Sequence, residues 1–387
     1  MALGRTLFAR LVELLPRRAF ESAVARYRGD HRVRSLSCMD QLLAMIYAQV
    51  TGRSSLRETT LCLGALGRQR YRCGIRGAVA KSSLADANES RDYRIFRDVA
   101  LCMIASARRD LPVDPELQTL EAEIYALDAT TIDLCLKLFP WARFRRRKAA
   151  VKLHTLLDLR AQIPVFIAVS DGKCHEVNTL DTLHLQPGSY VVFDKGYIDF
   201  GRLYRLHQAG CFFVTRAKRT MNHRVHSRRP VNSGGPVQAD QLIRLRVYRS
   251  RKRYPDTLRR VSYIDPETGK NLVFITNDQL LPPEMIALLY RKRWQIELFF
   301  KWIKQHLHIK AFFGRSRNAV NVQVWVAVIV FVLILRFRHR HTLQHAPGEI
   351  MSILSAMILE QTPVNEVFRE AGEQFADHHN HNQLVLF

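Results

Sequence analysis

The feature that most constrains this chain is a change of periodicity at the polar stretch 112–118. Before it, apolar residues recur every three or four positions, most plainly through 39–50 and 93–105, with no strand-like alternation. Residues 1–118 are therefore expected to be helical. After it come three runs, 124–134, 151–159 and 163–170, rich in β-branched and apolar residues and divided by short turns. They predict an antiparallel meander. A helix is expected around 176–184, then a strand at 190–193, a helix at 200–208 and a strand at 211–215. Three strands followed by alternating helices and strands make an α/β domain, placed here at 119–372, with a polar tail at 373–387.

Two segments punctuate that frame. The stretch 216–277 is basic, turn-rich at 230–236 and again strand-like at 242–248, 259–263 and 272–276, which predicts a β insertion with a turn at 265–269. In it Arg244, Arg246 and Arg249 alternate with Ile243, Leu245 and Val247. A strand there would show guanidinium groups on one face, for phosphate contact or simply for solvent. The apolar run 324–335 has twelve residues, short of the roughly 20 that span a bilayer, and predicts a buried element. In the amino-terminal region Ser54 and Ser55 before Leu56 and Glu58, and Ser82 and Ser83 before Leu84 and Asp86, are placed to cap helices. Short capped helices with turns at Gly74 and Gly77 suit a helix-turn-helix-like DNA reader, or any small helical bundle.

Charge narrows the class of partner. Fifty-nine Lys and Arg against 35 Asp and Glu give a formal charge of +24. The excess is clustered in Arg143 with Arg145, Arg146, Arg147 and Lys148, in 216–229 and in 244–253. Clustered positive charge points to a polyanion, because each neutralised phosphate releases counterions. The seven cysteines form no C-x-x-C pair, so neither a disulfide framework nor a zinc site is expected. Histidines gather at His339, His341 and His345 and at His378, His379 and His381 without the spacing of a metal motif. The first twenty residues predict an amphipathic helix and not a signal peptide, so a cytoplasmic protein with no membrane partner is expected.

Three acids stand where metal-assisted phosphodiester chemistry needs them. Asp128 lies inside an apolar run, Y-A-L-D-A-T-T-I-D-L, where a charge is costly unless ligated or paired. Asp194 follows the 190–193 run, at the carboxyl end of a strand, a common place for α/β sites. Glu297 belongs to a helix opened by Pro282 and Pro283 and expected to run past His306. Tyr290, Arg293, Glu297 and Lys304 then fall within an arc of about 60°, with Ile296, Leu298, Phe299, Trp302 and Ile303 on the far side. A surface helix with internal ion pairs would give the same pattern. Asp133 points to the face opposite Asp128, and Asp158 stays an open candidate. Carboxylates from two strands and a helix suit a pair of hard divalent cations. Trp294 is expected to be partly buried, the alternative being a base-stacking role.

The order Y-x-x-R-x-x-x-E-x-x-x-x-x-x-K at 290–304, with Asp128 in L-D-A-T-T and Asp194 in D-K-G-Y, resembles the bacterial insertion-sequence DDE transposases with the YREK signature, the IS-four-type family. The stretches F-E-S-A-V-A-R-Y-R-G-D and S-S-L-A-D-A-N-E-S-R-D resemble its helical opening domain. The resemblance implies an α/β, RNase H-like catalytic core with a β-strand insertion, preceded by an all-helical DNA-binding region. It implies Asp128, Asp194 and Glu297 as catalytic, metal-binding residues using Mg²⁺, with Mn²⁺ as substitute. Tyr290, Arg293 and Lys304 would contact double-stranded transposon-end DNA, in a homodimer that cuts at terminal inverted repeats and joins the ends to target DNA. Arg145, Arg146, Arg147, Lys148, Arg244 and Arg246 are expected as further DNA contacts. A host endonuclease without strand transfer, or a DNA-binding regulator derived from a transposase, are the alternatives. No residue certifies a hairpin step.

Overall fold

A computed structural model describes residues 5–135, 137–145, 148–173, 175–232, 234–306 and 312–369. The elements group by contact into two compact units, one built from 5–111, 137–141 and the described part of 301–369, the other from 112–135, 142–145 and 148–300. Residues 301–306 and 312–369, expected with the α/β part, thus group with the amino-terminal helices.

The helical unit opens with α1 (Leu7–Val12), α2 (Arg17–Arg26), α3 (Cys38–Val50), α4 (Leu56–Ala65), α5 (Gln69–Arg72), α6 (Lys81–Ser90) and α7 (Arg94–Asp110). The cap expected at Ser55 is present: its hydroxyl accepts from the Glu58 amide at 3.2 Å, while Glu58 accepts from the Ser54 amide at 2.9 Å. The first bond satisfies an amide that the first turn leaves orphaned, and the second ties the residue before the cap to the helix. Ser82 and Ser83 are not caps. Helix α6 starts earlier, at Lys81 after Ala80, so both serines lie inside its first turn.

Strands β1 (Ile124–Leu134), β2 (Arg143–Arg145), β3 (Lys148–Asp158), β4 (Ile163–Asp171), β5 (Tyr190–Phe193), β6 (Phe212–Arg216), β7 (His223–Arg229), β8 (Val237–Leu245), β9 (Leu258–Ile264) and β10 (Asn271–Thr276) make one sheet among the described residues. Its order is β2-β3-β1-β5-β6-β10-β9-β8-β7, with β4 also on β3. The expected meander is β1, β3 and β4, paired antiparallel, and β5 and β6 then add parallel to β1. Stretch 176–184 forms 3-10 turns at Glu176–Thr182, and not an α-helix. Helix α8 (Phe200–Gln208) spans its expected residues, capped by Asp199, whose carboxylate accepts from the Arg202 amide at 3.1 Å.

The 216–277 segment differs from expectation in two ways. It does not close on itself but continues the main sheet, because β10 pairs antiparallel with β6. Its first strands also lie earlier than expected: β7 is the basic 223–229 run, β8 ends at Leu245, and Tyr248–Arg253 is a short helix, α9. Arg249 is therefore helical and not on the strand face. Polar residues could enter β8 because Asp240, 4% exposed, receives two hydrogen bonds from Arg259, 2% exposed, at 2.9 and 2.7 Å. Buried charge is tolerated when it is paired in this way.

Helices α10 (Pro283–Lys292) and α11 (Trp294–His306) replace the single helix expected here. The break falls at Arg293, where the Arg293 amide bonds to the Tyr290 carbonyl at 3.2 Å and the Ile296 amide to the Arg293 carbonyl at 3.1 Å. These three-residue steps tighten the chain locally. The contact grouping changes units within α11, at Lys301. The apolar run 324–335 lies inside α12 (Arg317–Arg340), whose 24 residues make it, contrary to expectation, long and apolar enough to cross a membrane. It is a mostly buried core helix, packed by α7, α3, α6, α1 and α13 (Pro347–Met357).

Candidate active site

Asp128 and Asp194 are brought together by strand register. Strands β1 and β5 run parallel with Leu127 opposite Phe193, and each aspartate is the next residue along its strand or just past its end. Leu127 and Phe193 sit in the buried core of one sheet face, so alternation sends the Asp128 carboxyl to the other. Its Oδ1 accepts from the Ala129 amide at 2.8 Å. Asp158 is not part of this pair. It is the buried last residue of β3, where Oδ1 accepts from the Arg160 and Ala161 amides of the following turn at 2.9 and 3.3 Å.

Arg293, at the helix break, reaches two of the three acids. Its Nη2 donates to Glu297 Oε1 at 2.7 Å, and its Nη1 lies 3.7 Å from Asp128 Oδ2. The guanidinium side chain is 13% exposed, Asp128 21% and Glu297 34%. Its Nε has no hydrogen-bond partner among the described residues. The third acid is held separately: the Tyr290 hydroxyl donates to Asp194 Oδ1 at a long 3.4 Å. The Tyr290 ring packs on Phe274 and under the Arg293 guanidinium. Among the described residues no three acidic, His or Cys side chains are grouped tightly enough to hold one ion.

Burial pushes the Asp128 carboxyl up to about 6. The Ala129 amide and Arg293 oppose that rise, while the charges of Glu176 and Glu297 add to it. Tyr197, the last residue of D-K-G-Y, has a buried hydroxyl with no hydrogen-bond partner among the described residues. Burial raises this phenol first, and Asp128, Glu176 and Asp194 raise it further. Glu176, expected only as a helix start, pairs with Lys152 at 3.2 Å. His154, close by, is a satisfied core histidine: its ring nitrogens meet Ser170 Oγ at 2.8 Å and Thr179 Oγ1 at 2.9 Å.

The remaining expected contacts are dispersed. Lys304 is half-buried in the part of α11 that groups with the helical unit. Arg244 is exposed on β8, and Arg246, also exposed, follows the strand. Arg145 pairs in register with Lys148 at the β2–β3 turn, and Arg146 and Arg147 lie outside the described residues. The histidines at 378–381 do too. Trp294, expected to be partly buried, is 56% exposed because it starts α11 beyond the break.

Asp128 within β1 and Asp194 just past the end of β5 carry oxygens of the hard kind that divalent cations prefer, and the Asp128 carboxyl is desolvated. The family described as "Transposase DDE domain" matches residues 119–333, and a domain of unknown function, DUF4372, matches 3–76. A Sinorhizobium fredii protein named for a transposase, y4zB, is 32% identical over 62% of this chain and 67% of its own length. A Geobacillus stearothermophilus protein named for the transposase of insertion sequence element IS5377 is 30% identical over 51% of this chain and 52% of its own. One from Synechocystis named for the transposase of element IS4SA is 26% identical over 66% and 71%. With more than half of its length matched by the family, this chain belongs to the DDE transposases of insertion sequences.

Proposed function

We propose that this chain cuts DNA at the terminal inverted repeats of an insertion sequence and joins the freed 3′ hydroxyl to target DNA, with Asp128, Asp194 and Glu297 as the metal-binding, catalytic acids. One observation carries the assignment: two aspartates in adjacent strand registers lie beside a helix whose Arg293 already spans Asp128 and Glu297. The strand order β4-β3-β1-β5-β6, antiparallel then parallel, supports an RNase H-like core. DDE family membership implies dependence on a divalent metal. Mg²⁺, or Mn²⁺ in its place, would activate the attacking oxygen and stabilise the departing one.

The protein's own side chains set the conditions for that chemistry. Asp128 and Asp194 follow paired residues of neighbouring strands, and Tyr290 holds Asp194 by its hydroxyl. Arg293 neutralises the Asp128 and Glu297 pair until its guanidinium turns to a DNA phosphate, which frees both carboxylates for the cation. Lys304, Arg244, Arg246 and the 145–148 cluster grip the backbone of double-stranded DNA, and a homodimer brings two ends together. Labelled DNA carrying the element's own flanks, incubated with the protein and Mg²⁺, tests the reading. Nicking at the repeats with joining supports it; nicking without joining would make the chain an endonuclease, and binding with neither a DNA-binding regulator.

A further inference from the structure

The loop between α2 and α3 forms one wall of a polar cleft of about 530 Å³ in the helical unit. Arg28, His31, Arg32 and Arg34 lie along it and are exposed. The opposite wall is α6, which presents Ser83, Asp86, Ala87 and Ser90, spaced to share one helix face.

Three observations mark this loop as built and not merely solvated. First, it is pinned to the core. A Cβ on Gly29 would come within 2.5 Å of Ile95 Cδ1 and 2.6 Å of Cys38 Sγ, and the Asp30 carboxylate accepts from the Cys38 amide at 2.7 Å. Arg91 closes the far end with a hydrogen bond to the Leu36 carbonyl. Second, Arg28 and Arg32 adopt left-handed backbone conformations, with φ of 54° and 57°. That region disfavours side-chain-bearing residues, and such strain clusters at ligand clamps. Third, the charge is uncompensated. Arg26 and Arg97 pair with Asp98, and Arg94 with Asp92, whereas Arg32 and Arg34 have no ion pair or hydrogen bond among the described residues.

We infer that this cleft binds the sugar-phosphate backbone of duplex DNA, with Arg32 and Arg34 on phosphates and the Ser83 hydroxyl as a further donor. The inference rests on the DNA-substrate reading above and gives the segment matched by a domain of unknown function a physical task. Two arginines two residues apart span at most about 7 Å, a reach suited to neighbouring phosphates of one strand. Arginine and serine donors to phosphate position a duplex without reading its sequence.

The test is fluorescence anisotropy of the full chain on two labelled duplexes, one with the element's terminal repeat and one scrambled, across a salt series. The double variant R32Q/R34Q should weaken binding to both duplexes by about tenfold or more and lower the slope of log affinity against log salt by about two. Its melting temperature should be unchanged, and R32K/R34K should restore the slope. Affinity and slope equal to wild type would overturn the inference, as would a loss confined to the repeat-bearing duplex, which would indicate base reading. Retained Mg²⁺-dependent nicking alongside such a result would sink this inference alone. A wild-type chain that binds neither duplex would overturn it together with the proposed function.

Discussion

Two arginines in the α/β unit each hold carboxylates, and they do so in opposite ways. Arg259 meets Asp240 through two parallel hydrogen bonds, with both side chains almost wholly buried. Its third nitrogen bonds to the Leu281 carbonyl. Each of its three nitrogens has a partner, and the pair fixes β8 against β9. Arg293 is shared between Glu297 at 2.7 Å and Asp128 at 3.7 Å, its Nε is unpartnered, and both acids keep some access to water. A closed bidentate pair holds a fold, whereas a divided, half-satisfied one is ready to exchange partners.

The largest effect that would sharpen this contrast is on catalysis. Glu297→Ala should reduce DNA cleavage by about a thousandfold or more while end-DNA affinity stays within about twofold, as gel-shift and nicking assays on one preparation would show. Parallel loss of binding and folding would make Glu297 structural. Next comes stability: Arg259→Ala should cost about 3–5 kcal/mol in urea unfolding by leaving Asp240 buried and alone. Arg293→Ala should cost no more than about 1–2 kcal/mol, since its partners can rehydrate. Equal costs would erase the distinction between the two arginines.

Smaller effects follow from the exchange of partners. Arg293→Ala should tighten Mn²⁺ binding by the DNA-free protein, measured calorimetrically, and lower the salt slope of end-DNA binding by about one. Lys304→Ala should lower the slope by a similar amount and leave Mn²⁺ affinity unchanged. The smallest effect concerns pH. Burial raises the folded Asp128 carboxyl to about 6, above its unfolded value of about 3.9, so its ionisation opposes folding as pH rises through 6. Asp128→Asn should therefore melt slightly higher than wild type at pH 7.5 without metal, and the gain should fade toward pH 4. A gain independent of pH would remove the desolvated charge as its cause.

Much of the site was legible because its signals are local. An aspartate within an apolar strand, another at a strand end and an acid one turn after an arginine each stand out against their neighbours, and the register of β1 and β5 places the two aspartates together. Tyr197 and Glu176 were not legible as members, since neither has local company that marks it. Their association with Asp128 depends on 3-10 turns, Glu176–Thr182 and Lys195–Tyr197, which meet only in the folded chain.

The sequence alone determined the helical opening, the three-strand meander, β5, α8 and the Ser55 cap, because periodicity and capping act over a few residues. Only the tertiary structure decided that β10 joins β6 and that α12 and α13 pack with the first helices. It also decided that a helix breaks at Arg293 and that its guanidinium divides between two acids. Those outcomes depend on which surfaces and charges meet across long stretches of chain, where strand pairing and burial outweigh local preference.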